Sequence, residues 1–170
     1  MTRLIALGAS NLTRGLQTVL RLSAAQWGPD TEVYAALGLG RSYGQYHRLG
    51  VRGLPAILDC GLWSAVAAAP RVDTVGLITD VGNDILYGSA PDRILEWVAE
   101  AATRLSQYTS TITITAPLAA VNLTLLNGTG LTYIGDTGYA GTDQLVVSTN
   151  DLEHTGVGGA LVTTDAMDIS

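Results

Sequence analysis

The sequence predicts an α/β fold with a parallel sheet over residues 1–110, followed by a β-rich segment over 123–170. Strand and helix patterns alternate in the first part, which is typical of a parallel sheet with helices on its faces. The second part has apolar runs between Gly-, Asp- and Thr-rich turns and no helical period. All nine Arg lie before residue 109, whereas thirteen of the twenty Thr lie after residue 108. This shift in composition indicates a change of architecture, with a seam over 111–122.

Short apolar runs and helical periods define the elements of the first part. Strands are predicted over 3–8, 32–37, 73–79 and 111–115. Helices are predicted over 13–27, 54–69 and 89–108.

The helix over 89–108 has the clearest pattern. Ser89 and Asp92 form a candidate capping pair, and Pro91 lies in the first turn. Its apolar face is predicted to consist of Ile94, Leu95, Val98 and Leu105.

In the C-terminal segment, "NG" at 127–128 is typical of a hairpin turn. Strands are predicted over 131–134, 144–149 and 160–169.

Charge and composition exclude several classes of protein. The net charge is −6 and the chain has no Lys, which argues against binding to nucleic acid. The longest nearly apolar stretch, 62–70, is far shorter than a membrane span, and residues 1–10 fit a buried strand better than a signal peptide.

Cys60 is the only cysteine, so no internal disulfide forms and the cysteine content does not indicate a cellular compartment. We interpret Cys60 as a small buried apolar residue.

Three segments that could carry chemistry follow the first three predicted strands: Ser10, the loop "LGLGRSYG" (37–44), and Asn83. Ligands bind at the carboxyl ends of strands in open α/β sheets. A serine at a helix N-terminus suits a nucleophile, glycines let N–H groups approach a ligand, and an Asn amide donates to an oxyanion. Taken singly, each segment also fits a structural role, namely a helix cap at Ser10 or Asn11, a flexible turn and an Asx turn.

Together, this order of Ser, Gly and Asn resembles the SGNH (GDSL-like) hydrolase family over residues 3–119, and "RSYG" and "VGNDILYG" are similar to a bacterial branch. The resemblance implies a flavodoxin-like three-layer α/β/α fold, hydrolysis of esters, thioesters or acyl groups on sugars and lipids, and no cofactor. The family's final strand and helix are missing here. We therefore expect an incomplete sheet with exposed apolar surface and marginal stability.

The resemblance also assigns roles to residues. Ser10 matches the nucleophile, and Asn83 matches the oxyanion-hole amide. Gly40 matches the glycine whose N–H completes the oxyanion hole, with Gly38 as a competing alignment. Asp84 is expected to fix the loop and not to act in catalysis.

The family takes its base from a D-x-x-H block near the C-terminus, and Asp151 and His154 have this spacing. His47 has no carboxylate neighbour in sequence, and we expect a surface or helix residue there. However, residues 130–170 resemble the end of a bacterial cadherin-like tandem repeat through "YAGTD", "ND" and "TGVGGAL". That repeat explains the Asp–His pair more economically than catalysis does.

The cadherin-like resemblance implies the edge of a β-sandwich in a surface or secreted adhesin, where neighbouring repeats often share Ca²⁺. Acids of the tail offer oxygen ligands for calcium, although their spacing matches no EF-hand or nonapeptide calcium loop and solvated turn acids are the alternative. These acids are Asp136, Asp143, Asp151, Glu153, Asp165 and Asp168.

The sequence thus predicts a weakly active, truncated serine hydrolase of small acyl esters. The alternative is a calcium-dependent adhesin segment carried on an inactive hydrolase fragment.

Overall fold

The computed structural model describes residues 1–114, 143–150 and 162–169. The chain divides into two compact units, Met1–Leu123 and Thr124–Ser170. The elements are, in chain order, β1 (Thr2–Leu7), α1 (Ser10–Trp27), β2 (Glu32–Ala36), β3 (His47–Leu49), β4 (Arg52–Leu54), α2 (Leu62–Ala68), β5 (Asp73–Ile78), α3 (Gly82–Leu86), α4 (Pro91–Ser106), β6 (Ile112–Ile114), β7 (Asp143–Asn150) and β8 (Val162–Ile169).

Four strands form a parallel sheet in the order β2-β1-β5-β6. Leu7 at the end of β1 pairs with Ala36 of β2 and with Ile78 of β5, so these three strands end at the same level. After β1, the chain adds β2 on one side of it and then β5 on the other side. The strand order therefore reverses at β1. The segments that follow the three strands therefore meet beside the end of β1. The α/β class and the four predicted strands are confirmed.

Helices pack on both faces of this sheet because successive side chains of β1 point to opposite faces. Leu4 and Ala6 pack with Leu12 of α1. Ile5 and Leu7 belong to the larger core on the other face, which α2 and α4 complete. The face beneath α1 has the smaller core, and several of its apolar residues are only partly buried. They are Val19, Trp27, Val33, Ala35, Leu37 and Leu77.

The N-terminus of α4 differs from the prediction in its cap. Pro91 occupies the first turn, as predicted. The capping pair of Ser89 and Asp92 is wrong, because the N-cap is Ala90 and its side chain makes no capping hydrogen bond. The hydroxyl of Ser89 instead accepts a hydrogen bond from Nε2 of Gln45 at 3.1 Å. A contact between distant segments thus replaces a local one.

The buried face of α4 also differs from the prediction at one position. Leu95 is 57% exposed, whereas Ile94 and Leu105 are buried as predicted. The buried stripe repeats at three- and four-residue steps. It consists of Ile94, Trp97, Ala101 and Leu105.

The helix predicted over 54–69 is correct only in its second half, where α2 lies. Leu54 instead ends β4, which pairs antiparallel with β3 in a hairpin that was not predicted. Gly50 takes a φ of +61° at the turn, a conformation that suits glycine. Pro55 follows the hairpin directly, and because proline cannot donate within a helix it is typical of a boundary.

The described part of the second unit is a pair of antiparallel strands. Asp143 of β7 lies opposite Ile169 of β8, and Asn150 lies opposite Val162. These strands overlap the stretches 144–149 and 160–169 that were predicted from sequence. The predicted hairpin turn at 127–128 and the strand over 131–134 lie outside the described residues.

The longest described helices are α1, with 18 residues, and α4, with 16. In α4, exposed polar positions accompany a buried apolar stripe, whereas the apolar residues of α1 other than Leu12 are partly buried or exposed. Among the residues that the structure describes, no helix has the length and apolar character needed to cross a membrane.

Candidate active site

Ser10 lies at the carboxyl ends of the parallel strands, and its hydroxyl has two hydrogen-bond partners. It is the first residue of α1, a helix that begins three residues before its predicted start at 13. Ser10 Oγ donates to Oδ1 of Asn83 at 3.2 Å and accepts from the N–H of Gly40 at 3.4 Å. The structure therefore brings together the three residues that the sequence assigned to the nucleophile and the oxyanion hole.

The side-chain amide of Asn83 is oriented by a second contact. Its Nδ2 donates to the carbonyl oxygen of Arg41 at 2.8 Å, so its Oδ1 faces Ser10. A flipped amide would place Oδ1 against that carbonyl oxygen, and two acceptors would then repel each other. An amide nitrogen carries two hydrogens, so the second N–H of Asn83 can still donate to a bound ligand.

Asp80, which the sequence analysis missed, caps the N-terminus of α1. Its carboxylate accepts hydrogen bonds from the N–H groups of Ala9 at 3.0 Å, Asn11 at 2.9 Å and Leu12 at 3.4 Å. The alternative interpretation, in which Ser10 or Asn11 caps this helix, is therefore wrong, and the side chain of Ser10 is directed to Asn83 instead. Asp80 comes two residues after β5, at the carboxyl end of that strand, where the other polar residues of the site also lie. That position is the sequence signal from which a role for Asp80 could have been predicted.

The cap also changes the electrostatics around Ser10. From sequence, the positive end of the α1 dipole was expected to favour an alkoxide-like nucleophile. The Asp80 carboxylate offsets that positive end, so stabilisation of negative charge must come from individual N–H groups. Within the described residues, the N–H of Ser10 donates to no acceptor. It is therefore available to a ligand.

Of the two glycines that competed for the oxyanion hole, Gly40 is the one whose N–H reaches Ser10. Gly40 has a φ of +77°, and its carbonyl oxygen accepts a hydrogen bond from the hydroxyl of Tyr87 at 2.9 Å. The carbonyl oxygen of Gly38 accepts from the N–H of Arg41 at 3.1 Å, which closes a turn before the site.

Asp84 holds the loop that follows β2, as was expected. Its fully buried carboxylate accepts hydrogen bonds from the Ser42 hydroxyl at 2.5 Å and from the Tyr43 N–H at 3.1 Å. Burial raises the pKa of the Asp84 carboxyl, and these hydrogen bonds limit the rise. The Tyr43 hydroxyl reaches the carbonyl oxygens of Leu7 at 3.1 Å and Thr79 at 2.6 Å, which ties the loop to the ends of β1 and β5.

His47 differs from its predicted placement on a surface or helix. It begins β3 and is partly buried, and its ring stacks on that of Tyr87 with 3.7 Å between the ring centroids. Its Nε2 is buried with no hydrogen-bond partner among the described residues. The predicted base pair, Asp151 and His154, lies outside the described residues.

The described residues offer no metal site, and a cavity among them lies away from Ser10. In residues 1–114 and the two tail strands, no group of three or more His, Cys, Asp or Glu is arranged to hold a metal. A cavity of about 160 Å³ lies at the amino ends of β1 and β5, where Arg3, Arg71 and Tyr108 line it. This is the opposite end of the sheet from Ser10, so the cavity does not belong to the candidate site.

Comparisons with protein-family models, with curated proteins and with solved structures give no significant match. The chemistry of the site must therefore be inferred from its own residues.

Proposed function

We propose that this chain is a serine ester hydrolase of the SGNH type, acting on a small acyl ester. The observation that carries the proposal is the position of Ser10 Oγ between the Gly40 N–H and the Asn83 amide. The order of the parallel strands supports a flavodoxin-like arrangement, because β2-β1-β5-β6 reproduces the 2-1-3-4 order of that fold. Ser10 follows β1, the strand at which the order reverses, where such folds bind their ligands.

In the proposed reaction, Ser10 Oγ attacks the carbonyl carbon of the ester and its proton passes to a base. The N–H groups of Ser10 and Gly40 and the second N–H of Asn83 donate to the carbonyl oxygen as it gains negative charge. Collapse of the tetrahedral intermediate breaks the C–O bond, and the leaving alcohol takes the proton from the base. Water then gives a proton to the base and attacks the acyl carbon on Ser10; the bond to Ser10 Oγ breaks, the carboxylic acid leaves and Oγ regains its proton.

The resting hydrogen bonds must change before Ser10 can react. The Ser10 proton points to Asn83 Oδ1, which is not a base at neutral pH. Rotation about the Cβ–Oγ bond redirects the proton and gives up one hydrogen bond worth about 1 kcal/mol. A separate base that accepts this proton is therefore required. We propose His154, oriented by Asp151, for this role.

The first experiment compares hydrolysis of a short p-nitrophenyl ester by the native chain, Ser10→Ala and Ser23→Ala. Ser23 is a matched control, because it lies on the same helix and its hydroxyl bonds within that helix to the carbonyl oxygen of Val19. We expect Ser10→Ala to lose about four orders of magnitude in rate and Ser23→Ala to keep the native rate. Equal rates for the native chain and Ser10→Ala would reject the proposal.

The second experiment identifies the base, since the chain has two histidines. His154→Ala and His47→Ala are compared with the native chain under the same conditions. We expect His154→Ala to abolish turnover and His47→Ala to retain most of it. The reverse result would assign the base to His47 and leave the Asp151–His154 pair to the β segment.

A further inference from the structure

Gly40 is held from two sides by different elements. Its N–H donates to Ser10 Oγ at 3.4 Å, and its carbonyl oxygen accepts from the Tyr87 hydroxyl at 2.9 Å. Glycine has no Cβ, so its own side chain does not restrict rotation of the adjoining peptides. The hydroxyl of Tyr87 supplies a restraint that the glycine itself lacks.

Tyr87 is in turn held in place at its backbone and its ring. Its N–H donates to the carbonyl oxygen of Asn83 at 2.9 Å. Its ring stacks on the imidazole of His47, with ring planes 25° apart. The phenol oxygen is therefore held at the carbonyl oxygen of Gly40.

Two neighbours of Tyr87 bind the next residues of the same loop. Asn83 Nδ2 donates to the Arg41 carbonyl oxygen, and the Asp84 carboxylate accepts from Ser42. The segment that contains α3 therefore bonds to consecutive residues of the loop. Tyr87 is the member of this set that binds the residue whose N–H reaches Ser10.

We propose that Tyr87 is a positioning residue: it fixes the peptide between Gly40 and Arg41 and so restrains the Gly40 Cα, from which the neighbouring N–H of Gly40 faces the oxyanion formed at Ser10. This inference rests on the proposed ester hydrolysis. Tyr87 itself touches neither the ester nor the reacting atoms, and it acts through Gly40. Complete loss of one oxyanion-hole donor typically lowers kcat by about 10²- to 10³-fold. Loss of a restraint on such a donor should cost less, about tenfold.

The expected effect falls on kcat and not on KM. The Gly40 N–H becomes important when negative charge develops on the carbonyl oxygen, which occurs in the transition state. A change in its alignment therefore lowers kcat while ester binding stays nearly unchanged. A role confined to folding would lower the amount of active protein without changing kcat per active site.

The test compares Tyr87→Phe with Tyr46→Phe in the full chain. Tyr87→Phe keeps the ring that stacks on His47 and removes only the hydroxyl. Tyr46 is the control, because it precedes His47, is 64% exposed, and its hydroxyl bonds to no residue in the described part of the chain. With active sites titrated by a fluorophosphonate, we expect kcat for the p-nitrophenyl ester to fall about tenfold in Tyr87→Phe, KM to stay within about twofold, and Tyr46→Phe to match the native chain.

An amide spectrum tests the contact without turnover. The Arg41 N–H belongs to the same peptide as the Gly40 carbonyl, so its ¹H–¹⁵N peak should move in Tyr87→Phe and stay in place in Tyr46→Phe. An unmoved peak, or an unchanged kcat in an active native chain, would overturn the inference. Absence of Ser10-dependent turnover in the native chain would instead reject ester hydrolysis. The hydrogen bond between Tyr87 and Gly40 would then have no role in catalysis, even if the amide peak moved.

Discussion

The site depends on Gly40 at the scale of single residues. An added Cβ there would lie 3.1 Å from the Tyr87 hydroxyl oxygen and 3.6 Å from a methyl carbon of Leu54, on a backbone with a φ of +77°. We expect Gly40→Ala to lower the free energy of unfolding by about 1–2 kcal/mol and kcat by more than tenfold. Urea unfolding and ester hydrolysis measure the two effects.

Gly15 provides the matched control for this substitution. It lies inside α1, and an added Cβ would have no neighbour within 4 Å among the described residues. Gly15→Ala should therefore raise stability by about 0.5–1 kcal/mol through better helix propensity, with no change in kcat. If both variants behaved alike, the conformation of Gly40 would have no special role.

The buried Asp84 carboxyl makes stability depend on pH. Its pKa is raised above the ordinary value of 3.8 because the group is buried. Between that value and the raised one, the folded chain binds more protons than the unfolded chain, so the free energy of unfolding falls as pH rises. We expect the native chain to lose stability relative to Asp84→Asn as pH rises through this window. Chemical unfolding at several pH values measures the difference, and a difference that grows in favour of the native chain would contradict the prediction.

The residues of the site differ in how well the sequence could reveal them. Ser10, Gly40 and Asn83 each follow a recognisable strand, and parallel topology alone brings strand ends together. Asp80 and Tyr87 act through side chains that reach across to another segment. Which way those side chains point depends on packing between α1, α3 and the loop, and no local pattern encodes it.

At the scale of elements, α1 depends on a cap from outside the helix. The Asp80 carboxylate accepts hydrogen bonds from the N–H of the N-cap residue, Ala9, and from two N–H groups of the first turn. We expect Asp80→Ala to lower the free energy of unfolding by about 1–2 kcal/mol and to reduce esterase activity, because Ser10 begins this helix. Asp59→Ala is the control, since Asp59 is exposed and its carboxylate bonds to no described residue. Equal losses in urea unfolding would argue against a specific cap.

The elements that sequence failed to predict are those fixed by contacts with distant segments. The apolar run at 54–69 suggested one helix, yet Ala56, Ile57 and Leu58 are buried in a non-helical connection. The N–H groups of Ile57 and Leu58 donate to the carbonyl oxygens of Ser42 and Tyr43. Hydrogen bonds to the loop after β2 thus replace those of a helix. Hydrophobic periodicity over a short stretch of sequence cannot predict hydrogen bonds to a distant segment.

At the scale of the whole molecule, we expect the uneven cover of the described sheet to limit stability. The face beneath α1 has a small buried core, and β6 is the edge strand of the sheet among the described residues, with Ile114 54% exposed. Exposed apolar surface and an open edge favour association between chains. We expect thermal unfolding below about 60 °C with aggregation at high protein concentration. Calorimetry with light scattering tests this, and a reversible transition well above that temperature would contradict it.

Calcium distinguishes the proposed hydrolase from the cadherin-like alternative. A ligand that binds only the folded state at 100 times its Kd adds about 2.7 kcal/mol of stability, which raises Tm by several degrees. The acids of the tail match neither the EF-hand nor the nonapeptide calcium-loop spacing, so we expect the same Tm in millimolar calcium and in a chelator. A rise that the chelator reverses, without any change in esterase rate, would show that the tail binds calcium independently of Ser10. Such a rise together with no Ser10-dependent turnover would favour the adhesin segment as the functional part of the chain.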